Sequence, residues 1–303
     1  MLPPSGEQIV LAHDELTAVI TEVGATLRSF RHGSEPVIWE CPVSEIDSGG
    51  RGQVLAPWPN RLEDGSYRFG NATGKAPLDE PERHNAIHGL VRWMPWALED
   101  QSESRALLSC VIHPQPAYPF RVRVELDYTL GVGGLKVTCA ATNTGSEAAP
   151  FGIGFHPYLL APRGGIDEVE INLSARLHLL VDGRQLPVGD ELVSGTGFEL
   201  AGRALRGLQL DDCYTDLTLG LDDRWHAILD MADRRAEIWA DAAFGYVMCY
   251  TGDSIGERAD RRKAIAIEPM TCPPNALRTG KALIELSPGD RWTASWGIAA
   301  TFA

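Results

Sequence analysis

Arg121-Val-Arg-Val-Glu-Leu-Asp-Tyr-Thr-Leu130 alternates polar and apolar side chains at nearly every step, and Leu135-Lys-Val-Thr-Cys-Ala-Ala-Thr-Asn143 follows it across Gly131-Val-Gly-Gly134. Period two sends successive side chains to opposite faces of an extended chain, so both stretches read as strands. The same signature recurs at residues 15–22, 25–32, 106–113, 169–174, 225–231, 236–240, 246–251, 264–267 and 291–301, in runs often bounded by Gly, Pro, Asp or Asn. The 31 glycines and 20 prolines suit many tight turns. No long amphipathic helix is legible; short helical turns are expected only near residues 44–46 and 274–276. The 303 residues suffice for a large core without covalent staples, and no break in composition marks a linker. The expectation is an all-β chain, residues 1–303 forming one domain, built as a large antiparallel β-sandwich.

Charge narrows the partners. With 27 basic and 41 acidic side chains the net charge is −14, which repels phosphate backbones and anionic lipid. Nucleic acid and membrane are therefore not expected as partners, and a neutral or polar small molecule is. The opening residues lack a basic segment followed by an apolar one, no 18-residue apolar run occurs, and a cytoplasmic location is expected. Cys41, Cys110, Cys139, Cys213, Cys249 and Cys272 contain no CxxC pair and read as buried thiols.

Five segments break the alternation with polar residues set among Gly and Pro, as rim loops that carry function do. In Leu55-Ala-Pro-Trp-Pro-Asn-Arg-Leu62, Arg61 offers a planar donor fork and Trp58 a flat face for a sugar ring; the alternative is a rigid surface turn. In His84-Asn-Ala-Ile-His-Gly-Leu90 the spacing of His84 and His88 raises zinc, but no HExxH pattern or further ligand accompanies it, and no metal is expected. The density of His, Asn, Arg and Trp here favours a site over a single buried histidine satisfied by backbone. In Pro150-Phe-Gly-Ile-Gly-Phe-His-Pro-Tyr-Leu159 the glycines permit close approach of backbone or ligand. His156, between Phe155 and Pro157, is a candidate acid or base. In Leu210-Asp-Asp-Cys-Tyr-Thr-Asp-Leu217 the adjacent carboxylates of Asp211 and Asp212 need a turn, a helix cap, a ligand hydroxyl or a charged histidine to favour them. In Ala264-Ile-Ala-Ile-Glu-Pro-Met-Thr-Cys-Pro-Pro-Asn-Ala-Leu277, Glu268 ends an apolar run, where desolvation raises a carboxylate's basicity.

In type and order these segments resemble the aldose 1-epimerase (galactose mutarotase) family, in its bacterial free-sugar branch. The resemblance is carried by Asn60-Arg61 with Gly70, Asn85-x-x-His88-Gly89, Gly154-Phe-His-Pro-Tyr158, Asp211-Asp-Cys-Tyr214, Glu268-Pro-Met-Thr271 and Leu286-Ser-Pro-Gly-Asp290. It runs from about Val10 to the C-terminus. Better-known galactose mutarotases often have Gly-Gly after the second-segment histidine and a fuller histidine-rich stretch about the catalytic one; this chain has His-Gly-Leu and Gly-Phe-His-Pro-Tyr.

The resemblance implies a galactose mutarotase-like supersandwich with the sugar in a cleft on a curved sheet, and no metal or organic cofactor. It implies a catalytic pair, His156 and Glu268, and substrate-binding Arg61, His88 and Asp211. The expected reaction interconverts the α and β anomers of a free monosaccharide. Glu268 takes the C1 hydroxyl proton and a protonated His156 delivers one to the ring oxygen, its charge sustained near neutral pH by a nearby anion such as Glu268. Asp211 is expected to hold a sugar hydroxyl, with Arg61 and His88 donating; Trp58, Trp93 or Tyr250 could stack on the ring. Alternatives are a hexose-phosphate epimerase using Arg51, Arg61, Arg83 and Arg92, and a non-catalytic sugar-binding protein on the same fold. The expected assembly is a monomer or homodimer.

Overall fold

A computed structural model describes residues 2–47 and 49–302. The Arg121–Leu130 alternation becomes the strand Val122–Gly131, whose side chains are buried at every second position. Val122, Val124, Leu126, Tyr128 and Leu130 all point into the core. Each such aliphatic side chain is worth about 1.5–3 kcal/mol of burial, so a one-residue slip, which would turn the whole row to solvent, is forbidden. Its antiparallel partner is Gly134–Asn143, with Leu126 opposite Cys139 and Tyr128 opposite Val137.

These two lie inside a nine-stranded antiparallel sheet, whose order is Ala97–Gln101, Arg105–Ile112, Val122–Gly131, Gly134–Asn143, Arg291–Phe302, Arg234–Asp241, Arg224–Asp230, Glu170–Leu173 and Arg203–Ala204. A second sheet runs Pro187–Leu192, Ala175–Val181, Asp211–Leu217, Tyr246–Tyr250, Ala264–Met270, Gly154–Phe155 and Val54–Leu55, with Tyr158–Leu160 also paired to Ala264–Met270. Core residues from both sheets form one continuous cluster; Phe155 of the second meets Trp296 of the first at 4.9 Å between ring centroids. The antiparallel sandwich expected from the sequence is the fold. A smaller sheet of Gln8–His13, Leu16–Thr21, Leu27–His32 and Glu35–Pro36 adds to the same core.

Every strand expected from periodicity is present, with ends shifted by no more than about three residues. Three local expectations are corrected. Residues 44–46 form no helix; the chain there makes only a turn, with the Glu45 N–H donating to the Pro42 carbonyl. The helical turn near 274–276 begins later, as Ala276–Thr279. The Asp211–Leu217 segment is a strand inside the second sheet rather than a rim loop. All six cysteines are buried free thiols. No helix of the described residues is long and apolar enough to cross a membrane.

Candidate active site

The strand Ala264–Met270 is buried along its whole length, and a carboxylate in its middle has to be explained. On one side it pairs continuously with Tyr246–Tyr250, Met248 lying opposite Glu268. On the other the ladder is split: Gly154 pairs with Met270, and Tyr158 pairs with Ala266. The chain between them, Phe155-His156-Pro157, therefore passes beside Ile267-Glu268-Pro269. Pro269, which has no N–H to donate, falls at this interruption. The pairing brings His156 Nε2 within 3.2 Å of Glu268 Oε1.

Both members of the pair are buried, His156 at 5% exposure and Glu268 at 2%. Burial pushes the His156 imidazole down to about 3. Burial, with Asp211 nearby, pushes the Glu268 carboxyl well above its usual range despite the opposing charge of Arg61. A low-dielectric site disfavours the charged form of each. The expectation that His156 stays protonated near neutral pH runs against desolvation, which favours the neutral imidazole, and its neighbour Glu268 is itself driven towards the neutral carboxyl. The pair can share one proton, on the carboxyl when both are neutral or on the imidazole when both are charged. Glu268 Oε2 and His156 Nδ1 have no hydrogen-bond partner among the described residues.

A second, two-stranded ladder assembles the binding groups. Arg61–Glu63 pairs with Asn85–Ile87, Arg61 opposite Ile87, so the residues before and after these strands become neighbours. His88 donates its backbone N–H to the Asn60 carbonyl at 2.9 Å, and the Asn60 N–H donates to His88 Nδ1 at 3.3 Å. Nδ1 is thereby an acceptor, and the proton of a neutral ring lies on Nε2, making His88 a donor. Burial, with the positive charges of Arg92 and Arg61 nearby, holds the ring well below the usual imidazole range. The His88 and His156 rings meet edge to face at 5.4 Å.

Arg61 is fixed by a residue the sequence reading missed. Its Nε donates to both oxygens of Glu80 at 3.1 and 3.0 Å, and Asn85 and Arg83 donate to the same carboxylate. Burial alone would raise the Glu80 carboxyl, but these donors hold it below its usual range. One edge of the guanidinium is thus committed to Glu80, while Nη2 reaches towards Asp211 Oδ2 at 3.6 Å. The only sequence signal was the acidic run Asp79-Glu80-Pro81-Glu82 beside the second segment. Asp211 opens a central strand opposite Tyr250; burial raises its carboxyl, partly offset by Arg61.

All five residues singled out in the sequence, Arg61, His88, His156, Asp211 and Glu268, line one cavity of about 160 Å³ together with Tyr158 and Tyr250. Of the aromatic rings considered for stacking, Tyr250 lines this cavity, whereas Trp58 belongs to the hydrophobic core and Trp93 lies on a separate cleft. The glycines before His156 serve protein packing. A Cβ on Gly152 would lie 2.5 Å from Cys272 Sγ, and one on Gly154 would lie 2.9 Å from Pro59 Cβ. His84 points elsewhere, to Asp64 at 2.8 Å, so the two histidines of that segment do not share a site.

The fold is thus an all-β sandwich with a small polar cavity over a buried histidine–carboxylate pair. The chain matches the aldose 1-epimerase family over residues 7–299, and it belongs to that family. It is 30% identical over 288 residues to the uncharacterised protein YihR of Escherichia coli (strain K12), covering 94% of this chain and 90% of that one. Among solved structures it is similar to the GalM/aldose epimerase homologue of C. elegans, with a TM-score of 0.85 at 18% identity, covering 98% and 99% of the two chains. It is similar also to a galactose mutarotase-like protein from Clostridium acetobutylicum, with a TM-score of 0.82 at 19% identity over 97% and 95%. At these identities the two structures speak to the fold alone.

Proposed function

We propose that this protein interconverts the α and β anomers of a free aldose, of glucose or galactose type, with Glu268 and His156 as its acid–base pair. The observation that carries the reading is the 3.2 Å contact between these two buried groups in the wall of a polar cavity. Ring opening needs a proton removed from the C1 hydroxyl and one delivered to the ring oxygen, and each transfer by a positioned group is worth about 10²–10⁴-fold.

In the charged form of the pair, the Glu268 carboxylate takes the C1 hydroxyl proton as the C1 carbonyl forms. The bond from C1 to the ring oxygen breaks, and the His156 imidazolium protonates that oxygen. The pair ends as carboxylic acid and neutral imidazole, which is the distribution that burial favours. After rotation about C1–C2, His156 takes the proton back from the attacking hydroxyl and Glu268 returns one to the carbonyl oxygen, giving either anomer. Arg61 and His88 donate to sugar oxygens, and Asp211 accepts from a hydroxyl.

A phosphorylated sugar is a poorer fit. Arg51 is engaged by Asp47, Arg83 by Glu80 and Arg92 by Asp79, so each cation already faces a carboxylate. The test is polarimetry on freshly dissolved crystalline α-glucose and α-galactose. The wild-type protein should accelerate the decay of rotation, and Glu268→Gln should lose about 10²–10⁴ of that acceleration. Undiminished activity in the variant would remove Glu268 from the mechanism.

A further inference from the structure

A cavity of about 660 Å³ lies apart from the catalytic one and shares no lining residue with it. It sits where Tyr158–Leu160 ends beside the start of Ala264–Met270, Leu160 opposite Ala264. The turn Pro162-Arg163-Gly164-Gly165 lines it, held by the Gly165 N–H donating to the Pro162 carbonyl at 2.8 Å. The lining carries five basic side chains and three acidic ones. That is a local surplus of positive charge in a chain whose net charge is −14.

The group that asks for a ligand is Arg234. It opens the strand Arg234–Asp241, and its side chain is only 6% exposed. Nη1 donates to the Pro36 carbonyl at 2.8 Å. Nε is sealed from water without a hydrogen-bond partner among the described residues, and Nη2 makes no hydrogen bond among them either. The facing carboxylate, Asp233, is more than half exposed and stands 3.5 Å away. A guanidinium this deep is costly unless a counter-charge meets it, and the protein supplies only this loose one.

Two more guanidiniums in the lining are unspent. Arg163 and Arg261 form no ion pair among the described residues, and Arg261 uses only Nε, towards the Ile255 carbonyl at 3.0 Å. The remaining cations are committed: Arg262 to Asp167 and Asp253 at 2.7 and 2.8 Å, and Lys263 to Asp260 at 2.6 Å. Of the lining carboxylates, Asp167 is thereby consumed, Asp233 faces Arg234, and Glu35 is exposed to water. Planar guanidinium forks meet phosphate oxygens in pairs, and five cations against three carboxylates leave the charge that a dianion balances. A neutral sugar would leave Arg234 without its counter-charge.

We infer that this cavity binds the phosphate group of a small molecule, with Arg234 at its base and Arg163 and Arg261 as outer contacts. Such a site stands apart from the acid–base pair and exists whether or not the protein interconverts anomers.

The experiment is titration calorimetry of the intact chain with inorganic phosphate and with glucose 6-phosphate, at an ionic strength fixed with chloride. Saturable binding of at least one probe is expected, undisturbed by excess α-glucose. A charged hydrogen bond is worth about tenfold or more in affinity. Arg163→Ala with Arg261→Ala, two changes at exposed positions, should therefore weaken binding by about that factor, and Arg234→Gln should do the same. The double variant keeps the test decisive if Arg234→Gln fails to fold. Tighter binding of glucose 6-phosphate than of phosphate assigns the rest of the cavity to the organic part of the ligand, and equal affinities assign the site to free phosphate. No saturable binding of either probe overturns the inference. So does binding unmoved by the double variant, and so does displacement by α-glucose, which would put the phosphate in the catalytic cavity.

Discussion

Two groups of opposite charge type meet at the floor of the cleft, and burial drives both towards neutrality. The consequence is a pair of opposed pH dependences. The raised Glu268 carboxyl binds more proton folded than unfolded above its ordinary value of 4.5, so its contribution to stability is lost as pH rises. The lowered His156 imidazole binds less proton folded than unfolded below its ordinary value of 6.5, so its contribution is lost as pH falls towards about 3. In Glu268→Gln the first effect is absent. Calorimetric Tm values should therefore show wild type losing ground against the variant steadily as pH rises above 4.5, and parallel curves would contradict the raised carboxyl. Glu80 makes a second case at this scale. At 7% exposure it holds the buried Arg61, and Glu80→Ala strands that charge, a change worth about 3–5 kcal/mol of destabilisation in urea melts. Glu80→Gln keeps an acceptor and should fold, raising KM severalfold more than it lowers kcat if Glu80 only positions Arg61. Of the five candidate site residues, Arg61, His88, His156 and Glu268 stood out as polar side chains near Gly or Pro, Asp211 as one of two adjacent carboxylates, and the roles expected of them came from the family resemblance. Glu80 was not, because an acidic run beside a proline looks like any solvated turn.

Elements decide how these residues meet, and here the sequence was legible in part. Alternation revealed strands with one wet face, such as Val122–Gly131. It was silent for Asp211–Leu217, where two carboxylates at the start of a central strand mimic a turn signal. It also stopped the Glu268 strand at Ile267, because a charge followed by proline reads as an end. In the structure the strand continues to Met270, and the interrupted ladder beside Pro269 is the gap through which His156 enters. Register of that kind depends on pairing between distant segments and leaves no local pattern. Gly154 is the hinge of this arrangement, since a Cβ there would lie 2.9 Å from Pro59 Cβ, 3.0 Å from Met270 Cγ and 3.2 Å from the Pro269 carbonyl. Gly154→Ala therefore overpacks the junction between the Arg61 turn and the Glu268 strand. The expected cost is about 1–3 kcal/mol in urea denaturation, together with a fall in kcat because the histidine–carboxylate spacing shifts. A variant of unchanged stability and activity would show that the junction yields without strain.

For the molecule as a whole, the sandwich supplies rigidity and the surface supplies a field. One continuous core lies behind both sheets, and it holds the site's backbone: Arg61, Asp211 and Glu268 sit in strands, while His156 and His88 lie next to strand ends. The net charge of −14 gives the molecule as a whole a negative field, which leaves neutral sugars untouched and repels anions. Ionic strength separates these cases. From about 0.01 to 1 M salt the screening length shrinks from about 30 to about 3 Å. Across that range kcat/KM for α-glucose should stay nearly constant, while any turnover of α-glucose 6-phosphate should start lower and rise with salt as the repulsion is screened. The opposite slope, with the phosphate favoured at low salt, would mean that Arg51, Arg61, Arg83 or Arg92 is released from its carboxylate to meet an anion. The natural substrate would then be charged, and the pairing of those arginines would be a resting state rather than a reason to expect a neutral sugar.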